Sequence, residues 1–111
     1  MPRSSAMLAS AVRRRLEAEP RTTLASIARE LRVERHTLSR ALLKECRAPF
    51  RVLQARALEQ TIGTALGRPG ILIKQIAYDL GYRSPACLTR RVKALFAATP
   101  SALRSRVGRE R

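Results

Sequence analysis

The sequence is poor in acidic and in aromatic residues. Only 8 Asp and Glu stand against 23 Lys and Arg among 111 residues, which leaves a formal charge of +15 at pH 7. Such a chain repels itself unless a polyanion is near, so DNA, RNA and an acidic membrane surface are the candidate partners. Tryptophan is absent, and two Phe and two Tyr are too few to form the stacking platforms that bind single strands.

Further absences narrow the function. No apolar stretch approaches the ~20 residues that a membrane-spanning helix needs. The apolar piece from Ala6 to Val12 precedes three arginines, which is the reverse of a secretory signal. One histidine, no glycine-rich phosphate loop and no recognisable carboxylate pair argue against an enzyme. We therefore expect a non-enzymatic protein that is cytoplasmic and associated with the bacterial nucleoid.

Cysteine is also scarce. Cys46 and Cys87 form no metal-spaced pair, so we expect free thiols in a reducing compartment, with no metal and no other cofactor. Cys87 is interpreted as a small helix residue, and a redox-sensitive thiol is the alternative.

Apolar residues recur at helical spacing almost throughout, and no stretch alternates convincingly with a period of two. The pattern predicts an all-α fold of about seven helices in a single domain over residues 1–111. Thr22 or Thr23, Ser84 and Thr99 are the predicted caps, and the tail after Gly108 is expected to fray. The four aromatic side chains, Phe50, Tyr78, Tyr82 and Phe96, are expected to pack internally. The predicted helices run from Met7 to Leu16, Leu24 to Leu31, Arg35 to Cys46, Phe50 to Leu66, Ile73 to Leu80, Pro85 to Phe96 and Pro100 to Val107.

An internal repeat is the sharpest signal. The segment Ile27-Ala28-Arg29-Glu30-Leu31 matches Ile76-Ala77-Tyr78-Asp79-Leu80, and Leu38-Ser39-Arg40 matches Leu88-Thr89-Arg90. In each half a short helix, a turn and a longer basic helix make a helix-turn-helix, whose second helix enters the major groove of DNA. We predict a first unit over residues 7–49, a connector helix over 50–66, a second unit over 67–107 and a tail over 108–111.

The connector would span ~24 Å at 1.5 Å per residue, which is compatible with recognition helices near one DNA turn apart, ~34 Å. Arg, Ser, Thr and His on the longer helices can reach base edges and phosphates. The predicted DNA-binding residues are Arg35, His36, Ser39, Arg40, Lys44, Arg83, Ser84, Thr89, Arg90 and Lys93. For Arg40 and Arg90 the alternative is an intramolecular salt bridge with a neighbouring Glu.

The chain resembles the AraC/XylS-type transcription regulators from about Leu8 to Arg104. The resemblance is strongest in the second half, where the matching residues are Ile76, Ala77, Leu80, Gly81, Tyr82, Ser84, Leu88, Arg90, Lys93, Thr99, Pro100 and Ser101. It implies two helix-turn-helix units joined by a long helix, and contacts with double-stranded DNA from the positions of His36, Ser39 and Arg40 and of Pro85, Ala86, Cys87, Thr89 and Arg90. The family includes activators that also touch RNA polymerase.

The chain departs from the family at several points. The resemblance implies a glycine at the first turn and after each recognition helix, but this chain has Arg32, Arg47 and Ala97 there. The serine that would cap the first recognition helix is replaced by Glu34, which can still cap weakly. Family aromatic anchors are replaced by Leu42, Leu53, Val92 and Leu103, and the connector arginine is displaced to Arg56.

Three functions stay open at this point. The leading hypothesis is a sequence-specific regulator that binds an asymmetric DNA site as a monomer. The alternatives are a non-specific basic protein that compacts DNA or binds RNA, and a membrane-active cationic helix bundle. A pair of helical units with merely solvated basic faces is a fourth interpretation, but residues 80–107 contain no acid at all, and solvation does not require such a bias.

Overall fold

The computed structural model describes residues 4–109, with side chains described up to residue 105. These residues form seven helices and no strand, as the sequence predicts. The helices are α1 (Ser5–Ala18), α2 (Leu24–Leu31), α3 (Arg35–Cys46), α4 (Phe50–Leu66), α5 (Ile73–Asp79), α6 (Pro85–Phe96) and α7 (Pro100–Arg109). Because α7 continues to Arg109, it ends later than predicted. The side chain of Val107, where the last helix was predicted to end, and the tail residues 110–111 lie outside the part of the chain that the structure describes.

The chain divides into two compact units, Met1–Leu58 and Glu59–Arg111, and the division falls inside α4. From here on, these are the first and the second unit. Across the described residues, no helix has the length and apolar character that crossing a bilayer requires.

Four helices begin at a hydroxyl cap. In each, a side-chain oxygen accepts a hydrogen bond of 3.0 to 3.3 Å from the backbone N–H three residues further on. The capping residues are Ser4, Thr23, Ser84 and Thr99. Such a cap stabilises a helix by about 1 kcal/mol. The residues that precede α3 and α5 at the N-cap position, Glu34 and Leu72, make no side-chain capping hydrogen bond.

Three helices end at a residue that carries a side chain in a left-handed backbone conformation. Arg32, Arg47 and Ala97 have φ values of 56°, 53° and 55°. Glycine adopts this conformation without strain, whereas a Cβ there costs roughly 1–2 kcal/mol. These are the positions where the family resemblance implies glycine. The backbone therefore retains the left-handed conformation although another residue replaces glycine.

The first unit is built around α3, against which α1 and α2 pack. Val12, Ile27, Leu38 and Leu42 are completely buried between these helices. Burial of each such side chain stabilises the fold by about 1.5–3 kcal/mol. The stripe that predicted each helix is thus the stripe that forms the core.

Two polar links hold the helices of the first unit together. The side-chain amide of Gln54 in α4 donates to the carbonyl oxygens of Thr22 at 2.6 Å and Pro20 at 3.2 Å. The guanidinium of Arg15 lies 2.9 Å from Glu30 and 3.1 Å from Glu19. The first link ties α4 to the loop after α1, and the second ties α1 to α2.

The second unit buries a corresponding set of apolar side chains. They come from α4, α5, α6 and α7: Ile62, Leu66, Ile76, Ala77, Leu88, Val92 and Leu103. Arg104 donates through Nε to the carbonyl oxygen of Leu66 at 3.1 Å, which satisfies one of the free carbonyls at the end of α4.

The aromatic side chains differ in burial. Tyr82 is buried, and Phe50 and Phe96 are half-buried. The expectation that Tyr78 packs internally is wrong, because its side chain is 57% exposed. Ile76 and Ala77 occupy the buried face of α5, and Tyr78 falls 100° beyond Ala77, outside that face.

The strained end of α6 gives a stability prediction. Ala97→Gly should raise the free energy of unfolding by about 1 kcal/mol, because it removes a Cβ from a position with positive φ. Ala94→Gly is the matched control, since Ala94 is exposed in the interior of the same helix. It should lower the same quantity by about 0.5–1 kcal/mol. Urea unfolding followed by circular dichroism measures both, and changes of the same sign would contradict the strain at Ala97.

Candidate nucleic-acid interface

The first candidate recognition helix, α3, has one buried and one solvent-facing side. Leu38 and Leu42 are fully buried, and this fixes the rotation of the helix about its axis. At 100° per residue the opposite side carries residues two before and two after Leu38 and then one turn further. These are His36, Arg40, Leu43 and, at the end of the helix, Arg47, and all four are exposed. We call this set the outer face of α3.

The second candidate recognition helix, α6, has the same construction. Leu88 and Val92 are fully buried. The opposite side therefore carries Ala86, Arg90 and Lys93, which are exposed. We call these three residues the outer face of α6.

Arg40 and Arg90 occupy the same place in the two units. Each follows a fully buried leucine by two residues, and each is exposed. Among the side chains of residues 4–105, neither forms an ion pair, so the alternative of an intramolecular salt bridge with a neighbouring Glu is not realised there. Both guanidinium groups therefore keep most of their five N–H donors for an external acceptor.

The remaining predicted residues of the first unit lie close together. Arg35, His36 and Ser39 line a shallow concavity with Leu24 at the start of α2. Lys44 is exposed one turn beyond Arg40. The predicted residues thus form one basic surface that runs along α3 and reaches the N-terminus of α2.

Glu34 does not act as predicted. Its side chain makes no capping hydrogen bond to α3, so the expectation of a weak cap is wrong. The carboxylate instead lies 3.3 Å from Nδ1 of His36, and both side chains are largely exposed. The longer Glu side chain can turn away from the backbone N–H groups that a serine would face, and it places a negative charge beside the basic surface.

Two predicted residues of the second unit use their hydroxyls within the protein. Ser84 caps α6 by accepting from the backbone N–H of Cys87, and Thr89 donates to the carbonyl oxygen of Pro85 at 3.0 Å. Arg83 and Lys93 are exposed. The cations of this unit are therefore open to solvent, while its hydroxyls mainly fix the start of the helix.

Cys87 joins Ser84 and Arg90 in a small cluster that the sequence did not predict. Its sulfur accepts hydrogen bonds from the Ser84 hydroxyl at 3.4 Å and from the Arg90 guanidinium at 3.3 Å. The Ser84 bond, and then the bond and charge of Arg90, lower the pKa of the Cys87 thiol, although desolvation of the sulfur opposes them. The i, i+3 spacing of Cys87 and Arg90 on a helix is the signal that could have indicated this contact.

Leu43 and Arg47 were also missing from the predicted site. Leu43 is 53% exposed although it is a large apolar residue, and Arg47 is exposed in the left-handed position that ends α3. The prediction considered only polar residues inside the helix, so it passed over both. Their spacing from Arg40, three and seven residues, places them on the same face.

A family model described as a helix-turn-helix domain matches residues 27–106. Among curated proteins, no sequence matches the chain significantly.

Several solved structures are similar in fold, each with a TM-score of 0.73. The C-terminal domain of AraT, a response regulator from Geobacillus stearothermophilus, is 21% identical, and the matched region covers 91% of this chain and 83% of the AraT chain. A DNA-binding transcriptional dual regulator from Escherichia coli K-12 is 22% identical, with 92% and 93% covered. The C-terminal domain of the two-component response regulator yesN from Fusobacterium nucleatum is 17% identical, with 90% and 97% covered.

At these identities the likeness to solved structures shows the fold. The family model covers well over half of the chain, from the middle of α2 through α3, α4, α5 and α6 into α7. The chain belongs to the AraC-type family of helix-turn-helix domains, a family of DNA-binding domains that act in transcription regulation.

Proposed function

We propose that the protein regulates transcription by binding a specific sequence of double-stranded DNA, with α3 and α6 inserted into adjacent major grooves. The observation that carries this proposal is the paired placement of Arg40 and Arg90. Both extend from a helix whose opposite side is locked by a fully buried leucine, and neither pairs with an acid among residues 4–105. The E. coli structure with the same fold is that of a DNA-binding transcriptional dual regulator, which supports the proposal.

The chemistry of the two outer faces fits base recognition. An arginine fork can donate two hydrogen bonds to O6 and N7 of guanine, which is the commonest specific contact in the major groove. His36 on the outer face of α3 and Ser39 in the adjoining concavity add further polar groups. In this proposal the exposed cations Arg35, Lys44, Arg83 and Lys93 bind phosphates, which set the register of the protein on the duplex.

The two units contribute unequally in this proposal. The second unit supplies most of the affinity, because α6 has a hydroxyl cap and its surroundings carry no acid between residues 80 and 107. The first unit supplies most of the polar base contacts, through His36, Ser39 and Arg40. Since the two units differ, the protein binds a bipartite, non-palindromic site as a monomer.

Selection from random duplexes at near-physiological salt tests specificity. We expect enrichment of a bipartite motif, and on that site Arg40→Ala and Arg90→Ala should each weaken binding by ~1–3 kcal/mol and relax one position. The matched controls are Arg40→Lys and Arg90→Lys, which keep the positive charge but lose the guanidinium fork. If the fork reads the base, these variants should also relax the base preference at that position, although the charge is still present. Arg13→Ala removes an exposed charge from α1 and should relax none. If the Arg40→Ala and Arg90→Ala variants have the same affinity as the parent for every DNA sequence, the proposal is wrong.

A non-specific architectural role is the second candidate, and the charge of +15 is the observation that favours it. Salt titrations separate it from the first. If Lys93 binds a phosphate, Lys93→Ala should reduce the slope of log K against log [salt] by about 0.9 and leave the preferred sequence unchanged. Arg90→Ala should alter the preference as well. A steep slope with no sequence preference in the parent protein would instead establish the architectural role.

The thiol of Cys87 reports on whether α6 meets DNA. In a Cys46→Ser background, iodoacetamide should alkylate Cys87 about tenfold more slowly when DNA is present at ten times the Kd, because only the free fraction reacts. Without DNA, Arg90→Ala should slow the reaction near pH 7. The thiolate is the reactive form, and loss of the Arg90 charge raises the thiol pKa back towards its ordinary value. Equal rates with and without DNA would place α6 outside the interface.

A further inference from the structure

An apolar side chain interrupts the basic outer face of α3. Leu43 is 53% exposed, one of four large hydrophobic residues in the described chain that remain so open to solvent, with Met7, Leu72 and Tyr78. Of these four, only Leu43 lies on a candidate recognition helix. Because Leu43 shares this face with Arg40, a ligand that covers the face also covers the leucine, and an apolar group on that ligand would gain free energy by removing its side chain from water.

The neighbours of Leu43 define what kind of ligand fits. On the helix it is flanked by Arg40 and by Lys44 and Arg47, all exposed and none ion-paired within residues 4–105. Lysine is depleted at protein interfaces, and a protein partner that covered Leu43 would also have to desolvate this cluster of three cations. DNA satisfies both requirements, because its phosphates pair with cations while its groove offers apolar methyl groups.

The second unit differs at this position. Leu43 follows Leu38 by five residues, and the residue that follows Leu88 by five is Lys93. A lysine there extends a flexible charge that suits a phosphate. The two outer faces are therefore not copies of one another, and at this position only the first unit carries an apolar side chain.

We propose that Leu43 determines specificity by contacting the C5 methyl group of a pyrimidine in the major groove, and so selects thymine at one position read by α3. The thymine methyl is the apolar feature of the base edges in that groove. This inference rests on the proposed function, since it requires that the outer face of α3 enters the groove. Arg40, one turn earlier, would read a base on the same side of the helix.

Replacement of thymine by deoxyuridine tests the proposal, because it removes the methyl group and leaves every hydrogen-bonding group in place. Each thymine of the selected site is replaced in turn, and binding is measured for the parent and for Leu43→Ala. For the parent we expect about a fourfold loss at one or two neighbouring positions, the size expected for one buried methyl group. Leu43→Ala should show no further loss there, while it keeps the base preference of Arg40.

Two controls sharpen this experiment. Leu72→Ala changes another leucine of similar exposure that lies outside the recognition helices, and it should respond to deoxyuridine as the parent does. A probe with 5-methylcytosine in place of the critical thymine, compared with one carrying cytosine, shows whether a methyl group on either base is accepted. Circular dichroism of Leu43→Ala checks its fold, which should be unchanged because the side chain is exposed.

The outcomes are distinguishable. If the parent enriches no motif, the proposed function fails and this inference fails with it. If a motif is enriched but no thymine in it responds to loss of its methyl group, or if Leu43→Ala retains the same response, only the role of Leu43 is overturned.

Discussion

The complete burial of Leu38 and Leu88 is the constraint on which the rest of the structure depends. Each leucine is the point at which a longer helix is held against the core of its unit. A helix has only one free rotation about its axis, and burial of one side removes it. The outer faces are consequently defined by the core, so that a residue two positions after the leucine, Arg40 or Arg90, must face solvent. A change in the core would thus be transmitted to the chemistry of the surface without touching a surface residue.

The two units differ in which of their helices begins at a side-chain cap. In the first, the short helix α2 has a hydroxyl cap at Thr23 and the longer helix α3 has none. In the second, the short helix α5 is uncapped at Leu72, and the longer helix α6 has both the Ser84 cap and Pro85 in its first turn. Since each cap is worth about 1 kcal/mol, the start of α6 is the more firmly fixed of the two. A firmly fixed helix loses less entropy on binding, which agrees with the larger share of affinity proposed for the second unit.

The helices and most of the core could be predicted from the sequence because both depend on local patterns. The i, i+3, i+4, i+7 stripes gave Ile27 with Ala28 and Ile76 with Ala77, which are buried. What could not be predicted depends on where a particular side chain turns. The double hydrogen bond from Gln54 joins residues more than thirty positions apart, Glu34 turns to His36 rather than to the backbone, and Tyr78 sits beside a buried pair but outside their face. For the candidate site, the cations were identified by type and spacing, whereas Leu43 was missed because an apolar residue was assumed to belong inside.

The positions of Asp and Glu along the chain explain why both α3 and α6 present a basic surface. In the first unit Arg15 pairs with Glu19 and Glu30, and Glu34, next to the start of α3, lies against His36. In the second unit the last acid before α6 is Asp79, and none follows until beyond residue 107. The ion pairs of Arg15 thus link α1 to α2, while Arg40 and Arg90 form no ion pair among the side chains of residues 4–105. The repulsion among the excess cations opposes folding of the isolated chain and is relieved by a polyanion. The charge that destabilises the free domain is therefore the same charge that favours its complex.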